Sequence, residues 1–149
     1  LLKGVDDKGF VFYTNYLSRK SKELIENPNG FILFFFKELH RQIRIEGIIE
    51  KVTKEESKAY FDSRPAESRI GAWASIQSSK IESRKELEDK FKKYSEEFSD
   101  TEIPLPDYWG GFRLIPDYFE FWQGRENRLH DRICYEKTEG GWNLSRLSP

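Results

Sequence analysis

The spacing of apolar and polar residues predicts a chain made mostly of short strands. Segments 1–5 and 10–15 have strand-like composition, and the turn-forming residues at 6–9 separate them. Segment 31–36 is apolar on both faces, which is typical of a buried strand. Further strands are predicted at 111–115, 118–123, 132–136 and 142–147, the last two joined by a glycine-containing turn.

Segment 42–52 shows the alternation expected of a strand. Ile43, Ile45 and Ile49 fall on core faces, and Gly47 marks a bulge or a close approach of another backbone segment. Gln42 shares the opposite, polar face with Arg44, and its amide group is able to donate and accept hydrogen bonds at a ring edge. On this fragment alone, the polar outer face of a sheet is the favoured interpretation.

Helices are predicted where a capping residue precedes a helical pattern. Segment 18–26 forms a short helix that ends before Pro28, and Thr53-x-x-Glu56 has the pattern of a capping box that opens a helix through residue 60. A second short helix is predicted at 68–74, after the break at Pro65. Ser83 opens the longest helix, in which the apolar stripe consists of Leu87, Phe91, Tyr94 and Phe98.

Because strands outnumber helices and short turns join many of them, the pattern favours a mainly β fold with peripheral helices (α+β). An antiparallel barrel or strongly bent sheet fits this arrangement best. Neither an internal repeat nor a linker is evident, so residues 1–149 are predicted to form a single domain.

The composition of the chain argues against several classes of function. The chain has 149 residues, 34% of them charged, and a formal net charge of −1, which argues against a general nucleic-acid binder. The apolar run at 31–36 is too short to cross a membrane. The single cysteine, Cys134, favours a reducing compartment such as the cytoplasm, and one Cys with two His is too few for a structural zinc site.

Two features of the sequence suggest that it is part of a longer protein. It contains no methionine, and it opens directly in the apolar pair Leu1-Leu2, as if a strand had been cut. We therefore expect an N-terminal segment to be missing from this numbering.

One candidate anion site lies where segment 10–15 meets the following helix. Tyr13, Thr14 and Asn15 are followed by Ser18, Arg19 and Lys20 at the predicted helix start. Backbone N–H groups at a helix N-terminus, a hydroxyl and two cations together suit an anionic ligand. An ordinary capped and solvated first turn explains the same residues equally well.

A second candidate follows the Thr53 helix. Tyr60, Arg64 and Ser68 recur every four residues, so they would share one face of a continuous helix, although Pro65 interrupts it or opens a new helix. A phenol, a guanidinium and a hydroxyl that converge would hold a phosphate. A surface helix with an incidental arginine is an equally good interpretation.

The third candidate is the stretch 120–132, with the loop at 77–79 as a possible companion. Arg128, His130 and Arg132 are spaced two apart, so in an extended chain they would share one face. Trp122 precedes them, and aromatic rings beside guanidinium groups suit a flat, anionic heteroaromatic ligand. A solvated sheet face is the less favoured alternative.

Taken in order, these clusters resemble the pyridoxine/pyridoxamine 5′-phosphate oxidase family. The resemblance covers essentially the whole chain, and EFWQG followed by RLHDR is its most specific part. The stretches that carry it are LLKG (1–4), FYTN (12–15), SRK (18–20), RQIRIEG (41–47), YFDSRP (60–65), IGAWAS (70–75), QSS (77–79), PLPDYWGGFRL (104–114), EFWQG (120–124), RLHDR (128–132) and the terminal RLSP. An arginine that precedes the LLK stretch in the family lies outside this numbering.

The resemblance implies an antiparallel FMN-binding split β-barrel that works as a homodimer with flavin at the subunit interface. It also implies oxidation of pyridoxine 5′-phosphate or pyridoxamine 5′-phosphate to pyridoxal 5′-phosphate. In that reaction a hydride leaves C4′ of the substrate for flavin N5, and O2 accepts the electrons to give H2O2.

Site residues follow from the same resemblance, position by position. FMN contacts are implied at Leu2, Lys3, Tyr13, Thr14, Arg19, Lys20, Gln42, Gln77, Ser78, Trp122 and Arg132. Substrate contacts are implied at Lys3, Tyr60, Arg64, Ser68, Arg128 and His130, and the last two are the implied catalytic residues.

Two other function classes are consistent with parts of the sequence. A split-barrel carrier or sensor would bind FMN or pyridoxal phosphate without turnover, but a protein that binds only flavin has no need of the full substrate-side set. Single-stranded nucleic-acid binding by aromatic and arginine surfaces is disfavoured by the net charge of −1.

Overall fold

The computed structural model describes Leu1–Pro149 and contains seven β-strands and four α-helices. The strands are β1 (Gly4–Val5), β2 (Phe10–Asn15), β3 (Asn29–Phe36), β4 (Arg41–Lys51), β5 (Trp109–Gln123), β6 (Asp131–Thr138) and β7 (Gly141–Leu147). The helices are α1 (Arg19–Glu26), α2 (Lys54–Asp62), α3 (Ala66–Ala74) and α4 (Arg84–Glu97). None of these helices is long and apolar enough to span a membrane.

All seven strands belong to one sheet. Its main path runs β1-β2-β5-β4-β3, and β6 pairs with both β5 and β7. The pairs β3–β4, β5–β6 and β6–β7 are antiparallel. The predicted fold class, mainly antiparallel β with accompanying helices, is therefore confirmed.

Strand β5 corrects one prediction, because it is a single strand of 15 residues where two strands were expected. Pro116 lies within it and does not end it. Proline lacks an N–H, and a strand tolerates that loss at any position where the sheet needs no donor.

Internal packing divides the chain into two compact units. The first unit comprises Leu1–Gly4, Val11–Asn27 and Lys51–Arg113, and the second comprises Val5–Phe10, Pro28–Glu50 and Leu114–Pro149. The single domain expected from the sequence stays a prediction.

The core of the first unit forms around aromatic side chains. Phe61 of α2 and Trp109 of β5 are buried together, with ring centroids 5.2 Å apart. The apolar stripe of α4 packs as predicted, since Tyr94 and Phe98 both contact the ring of Trp73 on α3. These contacts fix α3 and α4 against each other.

Helix ends in the first unit follow the predicted capping chemistry. Thr53 forms a full capping box with Glu56, in which each side chain accepts from the other residue's backbone N–H. Ser83 caps α4 by accepting from the Glu86 N–H. Pro65 separates α2 from α3 and stands at the start of α3, where its missing N–H costs nothing.

In the second unit, β4 supplies buried side chains and β3 does not. Ile45 and Ile49 are buried as predicted, and a Cβ at Gly47 would collide with the carbonyl oxygen of Ile115, which confirms the expected close approach. The prediction of a buried strand at 31–36 is wrong within this chain, because alternate residues of β3 point to solvent. Phe31, Leu33 and Phe35 are 66%, 51% and 60% exposed.

Candidate active site

A cavity of about 580 Å³ in the first unit collects seven of the predicted site residues. Its lining contains two cations and no carboxylate, so it is suited to an anion. The predicted residues that line it are Lys3, Tyr13, Thr14, Tyr60, Arg64, Ser68 and Gln77. We refer to it as the main cavity.

Parallel aromatic rings form one wall of the main cavity. The rings of Tyr13 and Tyr60 stack with centroids 3.9 Å apart and planes 13° apart, and Trp109 lies nearly parallel to both. Burial raises the pKa of the Tyr13 phenol, and the nearby Glu56 carboxylate adds to the rise. Tyr13 therefore stays neutral near pH 7 and is available as a hydrogen-bond donor.

Arg64 is the principal cation of the main cavity. Its guanidinium lies over the Trp109 ring, 4.9 Å from the centroid, and its Nη1 is buried without a hydrogen-bond partner. Burial lowers the pKa of this guanidinium, and Tyr60 partly opposes that effect. A buried donor without a partner is costly, so this atom is positioned for an anionic ligand.

Polar side chains that line the main cavity hold the loop that carries Gln77. Thr14 donates a hydrogen bond to Gln77 Oε1 over 2.7 Å. This contact uses the amide oxygen of Gln77 and does not involve its amide N–H groups. Asn15 is 4% exposed; it donates to the Ser75 carbonyl and accepts from the Leu17 N–H. Asn15 belongs to the first candidate cluster of the sequence, but its hydrogen bonds to Ser75 and Leu17 were not predicted.

Of the other predicted residues of the first unit, Arg19 and Lys20 lie at the start of α1, Ser78 lies in the loop after α3, and Leu2 lies near the N-terminus. Ser18 caps α1, and a shallow groove of about 420 Å³ is lined by Arg19, Gln77 and Ser78. Ser78 adopts a left-handed backbone conformation with φ of 68°. Lys20 lies over the Phe12 ring, and burial lowers its pKa. Leu2 is half-buried next to Lys3.

In the second unit, Gln42 and Trp122 line a groove of about 430 Å³. His130 packs against the Trp122 ring with centroids 4.7 Å apart. The Nδ1 atom of His130 accepts a hydrogen bond from the Arg125 N–H over 3.1 Å. Since Nδ1 accepts, the neutral ring carries its proton on Nε2, which is then a donor for a ligand.

The extended arrangement considered for 128–132 is wrong at its first residue. Arg128 ends a short turn and has φ of 62°, and β6 begins only at Asp131. Asn127 is also left-handed, so the chain reverses here before it enters the strand. Arg128 is exposed and does not continue the face of Arg132 as a strand residue would.

Arg132 is held by a buried carboxylate. Its Nε and Nη2 donate to Glu120 over 2.7 and 3.0 Å, and the hydrogen bond from Arg132 is the main cause of the lowered pKa of Glu120. Next to this pair, burial and the hydrogen bond to Cys134 raise the pKa of Tyr118 to about 12. Glu120 was not among the predicted site residues, because partners in different strands are not visible in local spacing.

Two models of known protein families together match most of the chain. Residues 1–97 match the model described as pyridoxamine 5′-phosphate oxidase, and residues 109–149 match the pyridoxine 5′-phosphate oxidase C-terminal dimerisation region. The chain belongs to the pyridoxamine 5′-phosphate oxidase family. FMN is the cofactor that goes with this family, which confirms the cofactor predicted from the sequence.

Individual relatives agree with this assignment. The chain is 57% identical to the pyridoxine/pyridoxamine 5′-phosphate oxidase of Paraburkholderia phymatum and 55% identical to that of Microcystis aeruginosa. Each match covers 100% of this chain and 70% of the relative.

Solved structures share the fold. PhzG from Burkholderia lata, in complex with tetrahydrophenazine-1-carboxylic acid, superposes with a TM-score of 0.91 at 29% identity, over 99% of this chain and 72% of that one. An FMN-binding, pyridoxamine 5′-phosphate oxidase-related protein from Nostoc punctiforme gives 0.74 at 15% identity, over 100% of this chain and 78% of that one. The second likeness shows the fold alone.

Proposed function

We propose that the protein oxidises pyridoxine 5′-phosphate or pyridoxamine 5′-phosphate to pyridoxal 5′-phosphate in the cytoplasm. The observation that carries this proposal is the main cavity, which combines Lys3 and Arg64 with a hydroxyl at Ser68 and has no carboxylate in its lining. The unpartnered Nη1 of Arg64 supports a phosphate ligand in particular.

The residues present also fit FMN. The groove at α1 adds Arg19, Lys22 and Ser78 to the amide of Gln77, again without a carboxylate in its lining. Hydroxyls, amides and cations are the groups that bind a phosphorylated flavin. Under this proposal, FMN is held by Leu2, Lys3, Tyr13, Thr14, Arg19, Lys20, Gln42, Gln77, Ser78, Trp122 and Arg132, at the interface of a homodimer.

When bound, FMN supplies the redox chemistry, by accepting a hydride from C4′ of the substrate at N5 and passing two electrons to O2 to give H2O2. The protein side chains bind and orient the substrate. Lys3, Tyr60, Arg64 and Ser68 hold its phosphate, and such positioning contributes about 7–11 kcal/mol in favourable cases.

Two residues of the second unit act on the substrate ring in this proposal. His130 has its Nε2–H available because Nδ1 accepts from the Arg125 backbone, so it donates to an oxygen on the ring. Arg128 is exposed, and in this proposal its guanidinium helps to stabilise the charge that develops in the site as the hydride leaves.

The test is an anaerobic titration of the FMN-loaded protein with pyridoxine 5′-phosphate, followed by visible absorbance. Bleaching that reverses when air is admitted is the expected result, and unphosphorylated pyridoxine should bleach the flavin only at much higher concentration. If the protein binds the substrate while its flavin stays yellow, the proposal is contradicted and a carrier or sensor is favoured. A flavin bleached equally well by unphosphorylated heterocycles would favour a different substrate, for which the likeness to PhzG gives a precedent.

A further inference from the structure

Glu120 is a buried carboxylate that two arginines share. It lies on β5, is 7% exposed and accepts from Arg132 at both of its oxygens. Arg44 of β4 donates to the same carboxylate over 3.1 Å. A carboxylate this buried needs such partners, because desolvation disfavours its charge.

Most of the N–H donors of Arg132 are engaged within the chain. A guanidinium has five N–H donors, and Arg132 uses one on Nε and one on Nη2 with Glu120, and one on Nη1 with the Ser148 carbonyl over 3.1 Å. One N–H remains on each terminal nitrogen. The two-point contact with Glu120 fixes the plane of the guanidinium, and therefore the directions of these two remaining donors.

We propose that Glu120 is a positioning residue for the flavin: it holds Arg132 so that the two remaining N–H groups point at FMN. This inference rests on the proposed function, in which Arg132 contacts FMN. Stability alone explains the arrangement poorly, because a buried ion pair is often no more stabilising than an apolar replacement.

The charge of Glu120 and its orienting effect on Arg132 predict opposite changes in FMN affinity when Glu120 is replaced by Gln. As a negative charge next to a cation that binds an anionic cofactor, Glu120 lowers the local positive potential. If that were its only effect, Glu120→Gln would leave FMN affinity unchanged or strengthen it. If Glu120 orients Arg132, the same variant weakens FMN binding, since Gln cannot accept two parallel N–H bonds from the guanidinium.

The experiment measures the Kd of FMN from flavin fluorescence as the FMN-loaded full chain is diluted. Glu120→Gln is expected to raise the Kd about 10-fold or more. Glu46→Gln is the matched control: Glu46 Oε1 lies 2.9 Å from Nε of the same Arg44, but its side chain is 43% exposed and does not touch Arg132. The control should keep the Kd of the parent protein. An unchanged or lower Kd in Glu120→Gln overturns the inference.

A double-mutant cycle tests whether Glu120 acts through Arg132. In an Arg132→Gln background, Glu120→Gln should change the Kd by less than about 2-fold, because the group it orients is gone. If the two losses instead add, Glu120 acts by another route and the inference is overturned. It is also overturned if Arg132→Gln alone leaves the Kd unchanged, whereas the anaerobic titration of the parent protein decides the proposed function separately.

A second variant covers the case in which Glu120→Gln does not fold. Glu120→Asp keeps the charge and withdraws the carboxylate by one methylene, so the ion pair persists in a looser geometry. It is expected to weaken FMN binding while the protein stays folded. Parent-like FMN affinity in Glu120→Asp overturns the requirement for a fixed Arg132.

Discussion

Arg64 is the side chain on which the proposed substrate class depends most directly. Its stacking on Trp109 removes the freedom that a surface arginine would have, and its Nη1 has no partner within the chain. Neighbouring Tyr60 stacks on Tyr13, so the phenol and the guanidinium are both fixed before a ligand arrives. A preorganised cavity of this kind binds a ligand at a smaller ordering cost than a mobile one.

The first prediction is that Arg64→Gln impairs binding of the substrate phosphate. We expect the KM for pyridoxine 5′-phosphate to rise about 10- to 100-fold, since a hydrogen bond to a charged group contributes about 1.5–3 kcal/mol. The kcat should fall much less, because the phosphate lies away from the reacting carbon. Steady-state kinetics measures both constants.

Arg84→Gln is the control for this measurement, because Arg84 is an exposed residue of α4 whose ion pair with Glu88 lies at the surface. It should leave both constants unchanged. An Arg64→Gln enzyme with the parent KM would contradict the assignment of Arg64 to the phosphate.

Residue spacing predicted much of this site. Tyr60, Arg64 and Ser68 do line one cavity, although they do not share one continuous helix: Tyr60 lies on α2, Arg64 in the connection after it and Ser68 on α3. Spacing did not reveal Trp109, which joins the aromatic wall from β5, some 45 residues beyond Arg64 in the sequence. Contacts between distant segments depend on sheet pairing, which local periodicity does not encode.

Among the secondary-structure elements, β4 depends on the absence of a side chain at one position. The backbone of Ile115 lies so close to Gly47 that a Cβ there would overlap its carbonyl oxygen and carbon. Backbone atoms cannot move aside as the end of a flexible side chain can. The strand therefore requires glycine at this point for steric reasons.

The second prediction is that Gly47→Ala destabilises the protein by about 1–3 kcal/mol, the usual cost of overpacking a filled site. Urea unfolding measures the loss. Gly140→Ala is the matched control, because nothing lies within 4 Å of a Cβ at that position, and its effect should stay within about 0.5 kcal/mol. Equal stability of the two variants would contradict the close approach.

Helix starts and strand alternation were predictable, and strand partners were not. The capping box at Thr53 and the cap at Ser83 depend on residues three apart, which the sequence shows directly. The exposure of Phe31, Leu33 and Phe35 depends on what covers β3, and the chain by itself supplies no cover for that face. The turn before β6 was missed because Asn127 and Arg128 adopt left-handed conformations that are uncommon outside glycine.

For the molecule as a whole, the exposed apolar face of β3 bears on the proposed homodimer. Three large side chains on one face of a strand cost free energy in water unless a partner covers them. The match of residues 109–149 to a dimerisation region supports association of two chains.

The third prediction is a molar mass of about twice 17.7 kDa in solution, measured by light scattering during size-exclusion chromatography. Leu33→Glu places a charge on the apolar face of β3 and should shift the protein towards monomer. Lys8→Glu introduces the same residue in an exposed turn and serves as the control. A monomeric parent protein at micromolar concentration would contradict the homodimer.

The fourth prediction concerns the pH dependence of stability. The pKa of Glu120 is lowered in the folded protein, chiefly by Arg132, so its contribution to stability is present above the pKa of the unfolded chain. That contribution is lost as the pH falls through the lower, folded pKa. The free energy of unfolding should therefore decrease on acidification below about pH 4.

Glu120→Gln should have a weaker dependence on pH in this acidic range, because it lacks the titrating group. Urea unfolding at a series of pH values from neutral to acidic measures both proteins. Parallel curves for the parent and the variant would show that Glu120 does not contribute to acid sensitivity.

The sequence by itself determined the mainly β class, the helix starts and the family, because each depends on local residue chemistry or on the order of motifs. Only the tertiary structure decided which residues share a cavity, how Glu120 holds Arg132 and which apolar face of β3 remains uncovered. Those features arise where strands and helices distant in sequence pack together. Their contacts follow from the pairing and packing of whole elements, which no local pattern specifies.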